Sequence, residues 1–77
     1  GDLIGFRSVV ITKEMVGQKI AVFTSCETKT ATGKVREEQT NWERFVNEAG
    51  GIAVIARSTE DAENKLQESV DKLLRGE

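Results

Sequence analysis

The sequence predicts a single α/β domain with the element order β-β-α-β-α, a small mixed sheet flanked by helices. Three observations point there. Runs of β-branched and aromatic residues occupy the first third of the chain, around Val9 to Ile11 and Ile20 to Phe23. The apolar period then changes, with Trp42, Phe45, Val46 and Ala49 at i, i+3, i+4 and i+7, the spacing of one helix face. A short unbroken apolar run, Ile52 to Ala56, follows, and a second amphipathic stretch comes after it. A strand, a helix and a strand in that order are expected to close as a right-handed crossover with the two strands parallel.

Asp2 to Ile11 (DLIGFRSVVI) is the first expected strand, with Ile4, Phe6 and Val10 on one face and Leu3, Val9 and Ile11 on the other. Gly5 inside it predicts a bulge or a close backbone approach. Thr12 to Gln18 is polar and holds a glycine, so the next strand, Lys19 to Lys29, lies at hairpin distance and is expected to pair antiparallel with the first. Its middle, IAVF, is apolar on both faces and predicts a central strand covered on both sides. Cys26 is expected to be buried as packing. Thr30 to Lys34 is a loop. A helix is expected from about Val35 to Ala49, ended by Gly50 and Gly51, with Trp42 and Phe45 in the core. Ile52 to Ala56 reads as a buried parallel strand. Ser58 or Thr59 caps the last helix, with Glu60 and Asp61 favourable in its first turn. Ala62, Leu66, Val70, Leu73 and Leu74 form its apolar stripe.

Composition removes several kinds of chemistry. With 77 residues the chain is one domain, near the lower limit for a self-sufficient core. Its 38% hydrophobic and 31% charged residues place it with globular rather than disordered chains. There is no His, so the usual serine or cysteine triads and His-based proton shuttles are excluded. One Cys excludes an internal disulfide and, with no His, an ordinary zinc site within one chain. No apolar run approaches the ~20 residues of a membrane span, and no signal-peptide pattern opens the chain, so a cytoplasmic protein without a membrane partner is expected. An enzyme built from these residues must work with carboxylates, Lys and a hard metal ion. The net charge of -2 is close to neutral evidence on nucleic acid, because bound cations reverse the sign of an acidic site locally. Lys29, Lys34 and Arg36 concentrate positive charge in one stretch.

That stretch, SCETKTATGK from Ser25 to Lys34, holds the sharpest pattern. Glu27 and Lys29 stand two positions apart where the second strand ends. Two residues of strand span about 6.6 Å and return to the same face, so both side chains project together while Cys26 and Thr28 point the other way. Open α/β sheets bind ligands at the carboxyl ends of parallel strands. Gln39, three residues before Trp42, shares the inward stripe of the first helix and looks towards the same cleft. Glu63 and Lys65 repeat the spacing, but on a helix such residues face apart. Only the strand copy can form one site.

DLIGF, a hairpin, a strand ending in ETKTATGK, a Gln in the next helix and the segment AGGIAVIARSTEDA together resemble the VRR-Nuc family of the PD-(D/E)xK nuclease superfamily, from Asp2 to about Leu66. The small stand-alone, phage-type members are the nearest in form. The resemblance implies a restriction-endonuclease-like core and a divalent-metal-dependent DNA endonuclease, with Holliday junctions or flaps as candidate substrates in replication, repair or recombination. It implies Asp2, Glu27 and the backbone carbonyl of Thr28 as ligands of magnesium or manganese. Lys29 is then the residue that orients or deprotonates the attacking water, and Gln39 holds the site from the first helix. Lys34 and Arg36 are assigned to DNA contacts, and a homodimer is expected. Against the family pattern, the helix before the Asp is missing from the 77 residues, and Arg36 stands where a capping Ser is usual. A non-catalytic DNA-binding or assembly module of the same fold is the alternative.

Overall fold

In the computed structural model, which describes residues 3–77, a 3₁₀ turn at Lys13–Met15 precedes strand β1 (Thr24–Thr28), helix α1 (Glu37–Glu48), strand β2 (Ile52–Ala56) and helix α2 (Thr59–Leu74). The two strands pair in parallel, from Thr24 opposite Ile52 to Thr28 opposite Ala56. The protein is thus a small mixed α/β chain with a two-stranded parallel sheet and two helices. The parallel pairing, the helical crossover and the last helix stand as the sequence predicts.

Local chemistry explains the boundaries. The Ser58 hydroxyl accepts the Asp61 backbone N–H at 3.0 Å, so Ser58 rather than Thr59 is the cap of α2. Gly50, at φ 97°, takes the left-handed conformation that ends α1. Gly51 answers a different need. A Cβ there would lie 2.9 Å from both the Phe23 carbonyl oxygen and Val46 Cγ1, so only glycine lets β2 start against α1.

The core is β2 and what covers it. Val46 and Ala56 are fully buried, and Ile52, Ala53 and Val54 nearly so. Hydrogen bonds from Trp42 to Ser25 and from Gln39 to Glu27 place α1 over the face that carries the odd-numbered residues of β1. The even-numbered residues of β2 are buried too, which leaves α2 to cover them. The outer edge of β2 is closed by side chains. The Asn47 amide both accepts the Ala53 N–H at 2.9 Å and donates to the Ala53 carbonyl at 3.2 Å, and the Lys65 ammonium donates to the Ile55 carbonyl at 2.6 Å. No such closure is present on the outer edge of β1 among the described residues, which leaves an open edge.

The first half departs from expectation. The expected strand from Asp2 to Ile11 and its antiparallel hairpin are not formed among residues 3–11, where Leu3, Ile4, Val9, Val10 and Ile11 are exposed. The Ser8 hydroxyl instead donates to the Ala49 carbonyl at the end of α1, and the Phe6 ring lies 4.8 Å from Phe23 and 5.8 Å from Phe45. Tethered this way, the segment lies along the helix end rather than beside β1. The second strand is correspondingly short, because β2 offers only five residues of ladder and, among the described residues, Lys19 to Val22 pair with no other strand. The central-strand expectation for IAVF therefore fails, and Ala21 is exposed. Two further expectations are corrected. Cys26 is exposed, being on a strand that has one neighbour among the described residues. Trp42 and Phe45 are 44% and 58% exposed and form an aromatic cluster with Phe6 and Phe23 outside the core. The shape agrees with this. The radius of gyration is 14.1 Å, against about 11.5 Å for a compact domain of this length.

Candidate active site

Three of the residues singled out in the sequence meet at the carboxyl end of β1. Glu27 is on β1, paired with Ile55, and its Oε1 accepts a hydrogen bond from Gln39 Nε2 at 2.8 Å. Lys29 Nζ lies 3.8 Å from the same oxygen. The 12-residue separation of Glu27 and Gln39 is closed because α1 returns over the face on which Glu27 stands.

Gln39 does two jobs with one amide. Its Oε1 accepts the Arg36 backbone N–H at 3.0 Å, one of the donors a helix start leaves unpaired, while its Nε2 donates to Glu27. Arg36 has no side-chain acceptor and makes no capping bond of its own, so Gln39 supplies the reciprocal half of a capping box. A carboxylate at position 39 could accept from Arg36 but could not donate to Glu27. The residue type follows from the geometry.

Lys29 is held from both ends. Its backbone N–H donates to the Ala56 carbonyl at 2.8 Å, carrying the ladder one bond past the last strand pair. Its side chain is 17% exposed against 50% for Glu27, so the stem is covered and the ammonium is directed at the carboxylate. A loose, partly solvated pair of this kind contributes about 0–1 kcal/mol. Its value is positional.

The donor atoms suit a hard cation. Glu27 Oε2 makes no hydrogen bond among the described residues, and the Thr28 carbonyl faces the open edge of β1, since the N–H of Lys29 next to it faces β2. Magnesium takes one or two protein carboxylates and completes its shell with water and phosphate oxygens, and Glu27 supplies one such carboxylate. No cluster of three or more acidic, His or Cys side chains gathers among the described residues. Asp2, the other expected ligand, lies outside them.

Lys34 and Arg36 are exposed in the segment linking β1 to α1, at the same end of the sheet. Arg57, which the sequence pattern does not single out, belongs with them. Arg57 follows β2 directly, and its Nη1 donates to the carbonyls of Thr30 at 2.7 Å and Gly33 at 2.6 Å. The available signal was an Arg immediately after a buried strand whose carboxyl end coincides with that of the ETK strand. Behind it, Asp61 Oδ2 accepts the Arg57 backbone N–H at 2.9 Å and lies 3.3 Å from Lys65 Nζ. The Arg57 N–H, and after it the Lys65 ammonium, hold the Asp61 carboxyl below its ordinary value against the opposing effect of burial.

No helix among the described residues is long and apolar enough to cross a membrane. Searches of family models, curated proteins and solved structures find no match to this chain.

Proposed function

We propose that this protein is a divalent-metal-dependent DNA endonuclease of the VRR-Nuc type on a reduced restriction-endonuclease-like core, acting on branched DNA such as flaps or four-way junctions. The observation that supports it most is the convergence of Glu27, Lys29 and Gln39 at the carboxyl end of a parallel strand, with Oε1 of Glu27 taken by Gln39 and Oε2 left over. Glu27 and the Thr28 carbonyl are the groups among the described residues that would hold magnesium or manganese, with Asp2 as the further expected ligand. When bound, the metal lowers the pKa of its water and offsets charge on the phosphate.

The chain's own residues supply the rest. Gln39 keeps the Glu27 carboxylate in one orientation, which spares the site a reorganisation during reaction. Lys29, anchored through its backbone on β2, brings a fixed positive charge to the place where the scissile phosphate gains negative charge. Lys34 and Arg36 provide weaker, exposed contacts to flanking phosphates. The exposed apolar segment 3–11 offers a second copy of the chain a surface for a two-fold dimer.

Calorimetric titration of calcium and manganese into the parent chain and a Glu27→Gln variant tests the site. Removing the carboxylate should weaken binding at least about tenfold, the effect of losing roughly 1.4 kcal/mol. Equal affinities would contradict the assignment of Glu27.

A further inference from the structure

Arg57 is tied to the candidate site by strand register. Thr28 pairs with Ala56, and the Lys29 N–H donates to the Ala56 carbonyl, so Arg57 stands opposite Lys29, one step past the last pair. Adjacent strands are about 4.8 Å apart. The two residues therefore start from neighbouring backbone positions, Lys29 reaching to Glu27 and Arg57 to the turn after β1. The Arg57 guanidinium is also fixed in place. Both of its bonds to the turn, at Thr30 and Gly33, come from Nη1, and the turn itself is closed by the Gly33 N–H on the Thr30 carbonyl at 3.1 Å. Anchoring by Nη1 leaves the opposite edge, Nε and Nη2, without a hydrogen bond among the described residues. That edge is the side-on fork that matches two oxygens of a phosphate.

Nor does the guanidinium sit in a salt bridge among the described residues. The acceptors it uses are neutral carbonyls. Asp61, the acid in the adjoining turn, is engaged by the Arg57 backbone N–H and the Lys65 ammonium. A clamp for two carbonyls needs donors, not a permanent charge, and a neutral amide would serve. A charge retained opposite Lys29 in the register, on a side chain whose orientation is already set, suits an anionic ligand.

We infer that Arg57 is a phosphate contact of this site, holding through Nε and Nη2 the backbone phosphate next to the one that faces Glu27 and Lys29. This rests on the phosphodiesterase reading and adds a residue to it. Arg57 is distinct from Lys34 and Arg36 in being pre-oriented by the fold. Its grip on Gly33 also sets where Lys34, the next residue, begins, so one side chain organises two of the cations that meet DNA.

The test is the salt dependence of binding to a labelled four-way junction in calcium, for the parent, Arg57→Gln and Arg57→Lys, with circular dichroism melts on each. Each phosphate contact adds about 0.7–0.9 to the slope of log affinity against log salt. Arg57→Gln should keep a cooperative melt and lose about that much slope, while Arg57→Lys should keep the slope with affinity reduced several-fold. If Arg57→Gln does not fold, Arg57→Lys decides alone, and affinity equal to the parent's would overturn the inference. A parent that binds and cleaves DNA with a slope unchanged in Arg57→Gln would overturn the role of Arg57 alone. A parent with no salt-dependent binding to DNA would overturn the phosphodiesterase reading and this inference together.

Discussion

Gln39 joins the start of α1 to the end of β1: its amide accepts the Arg36 N–H at 3.0 Å and donates to Glu27 Oε1 at 2.8 Å. Helix capping and site geometry thus share one side chain. Gln39→Glu keeps the acceptor for Arg36 but places a second carboxylate against Glu27. Loss of a hydrogen bond to a charged group, about 1.5–3 kcal/mol, corresponds to a roughly 10- to 100-fold fall in kcat/KM. The melting temperature should move little, since the cap survives. Steady-state cleavage kinetics beside a thermal melt would check both halves, and unchanged kinetics would mean that Gln39 only caps the helix.

Gly51 carries the contact between α1 and the start of β2. Gly51→Ala puts a methyl group 2.9 Å from the Phe23 carbonyl oxygen and Val46 Cγ1. The first of these is backbone that bonds the Ile52 N–H at 2.8 Å, so it cannot retreat freely. Overpacking of this sort costs about 1–3 kcal/mol. Urea unfolding should show the loss in the midpoint. Stability equal to the parent's would mean that α1 can shift away from β2.

Asp61 links the turn after β2 to acid stability. Its carboxyl is held below the usual aspartate range, first by the Arg57 backbone N–H and then by the Lys65 ammonium. A group whose folded pKa lies below its unfolded one adds stability above the unfolded value and loses it as pH falls through the folded one. The parent should therefore lose stability below about pH 4. Asp61→Asn should melt lower at neutral pH and show a flatter acid limb. A parallel acid limb in the two proteins would show that Asp61 is not a source of it.

The aromatic cluster gives a spectroscopic handle on the N-terminal segment. Phe6 packs on Phe23 and Phe45, and Trp42 lies 6.3 Å from Phe23. Phe6→Ala should release the segment, exposing Trp42 further and shifting its emission to longer wavelength, while α2 and the sheet keep their cooperative unfolding. An unshifted emission maximum would mean that the ring of Phe6 does not shield the indole.

The second half of the chain was legible because its signals were strong and local. Ile52 to Ala56 had length, β-branching and glycines before it, and Ser58 with Asp61 formed a side-chain cap. Glu27, Lys29 and Gln39 were legible as a group because strand period and helix period each place a side chain without knowledge of packing. The first half was not. Its alternation in DLIGFRSVVI is broken by Gly5, Arg7 and Ser8, and a hairpin needs a third strand or a covering helix to be stable. Phe6 and Ser8 found α1 instead. With no neighbour on its outer edge among the described residues, β1 also leaves Cys26 in solvent. Periodicity alone carries no information about which partner a strand obtains. Arg57 was missed for a related reason, since its partners are backbone carbonyls 24 and 27 residues away, and carbonyls leave no mark in a sequence.

Phosphodiester cleavage is the chemistry proposed for the end of β1. Labelled single-stranded, duplex, flap and four-way-junction DNA should be incubated with the parent and with Lys29→Ala in magnesium or manganese. The parent is expected to cut at least one branched substrate, and Lys29→Ala to cut it about 10²- to 10³-fold more slowly, the usual cost of one electrostatic contact to a transition state, with binding in calcium within a few-fold of the parent's. Cleavage at equal rates by both proteins, or by neither, would contradict the proposal.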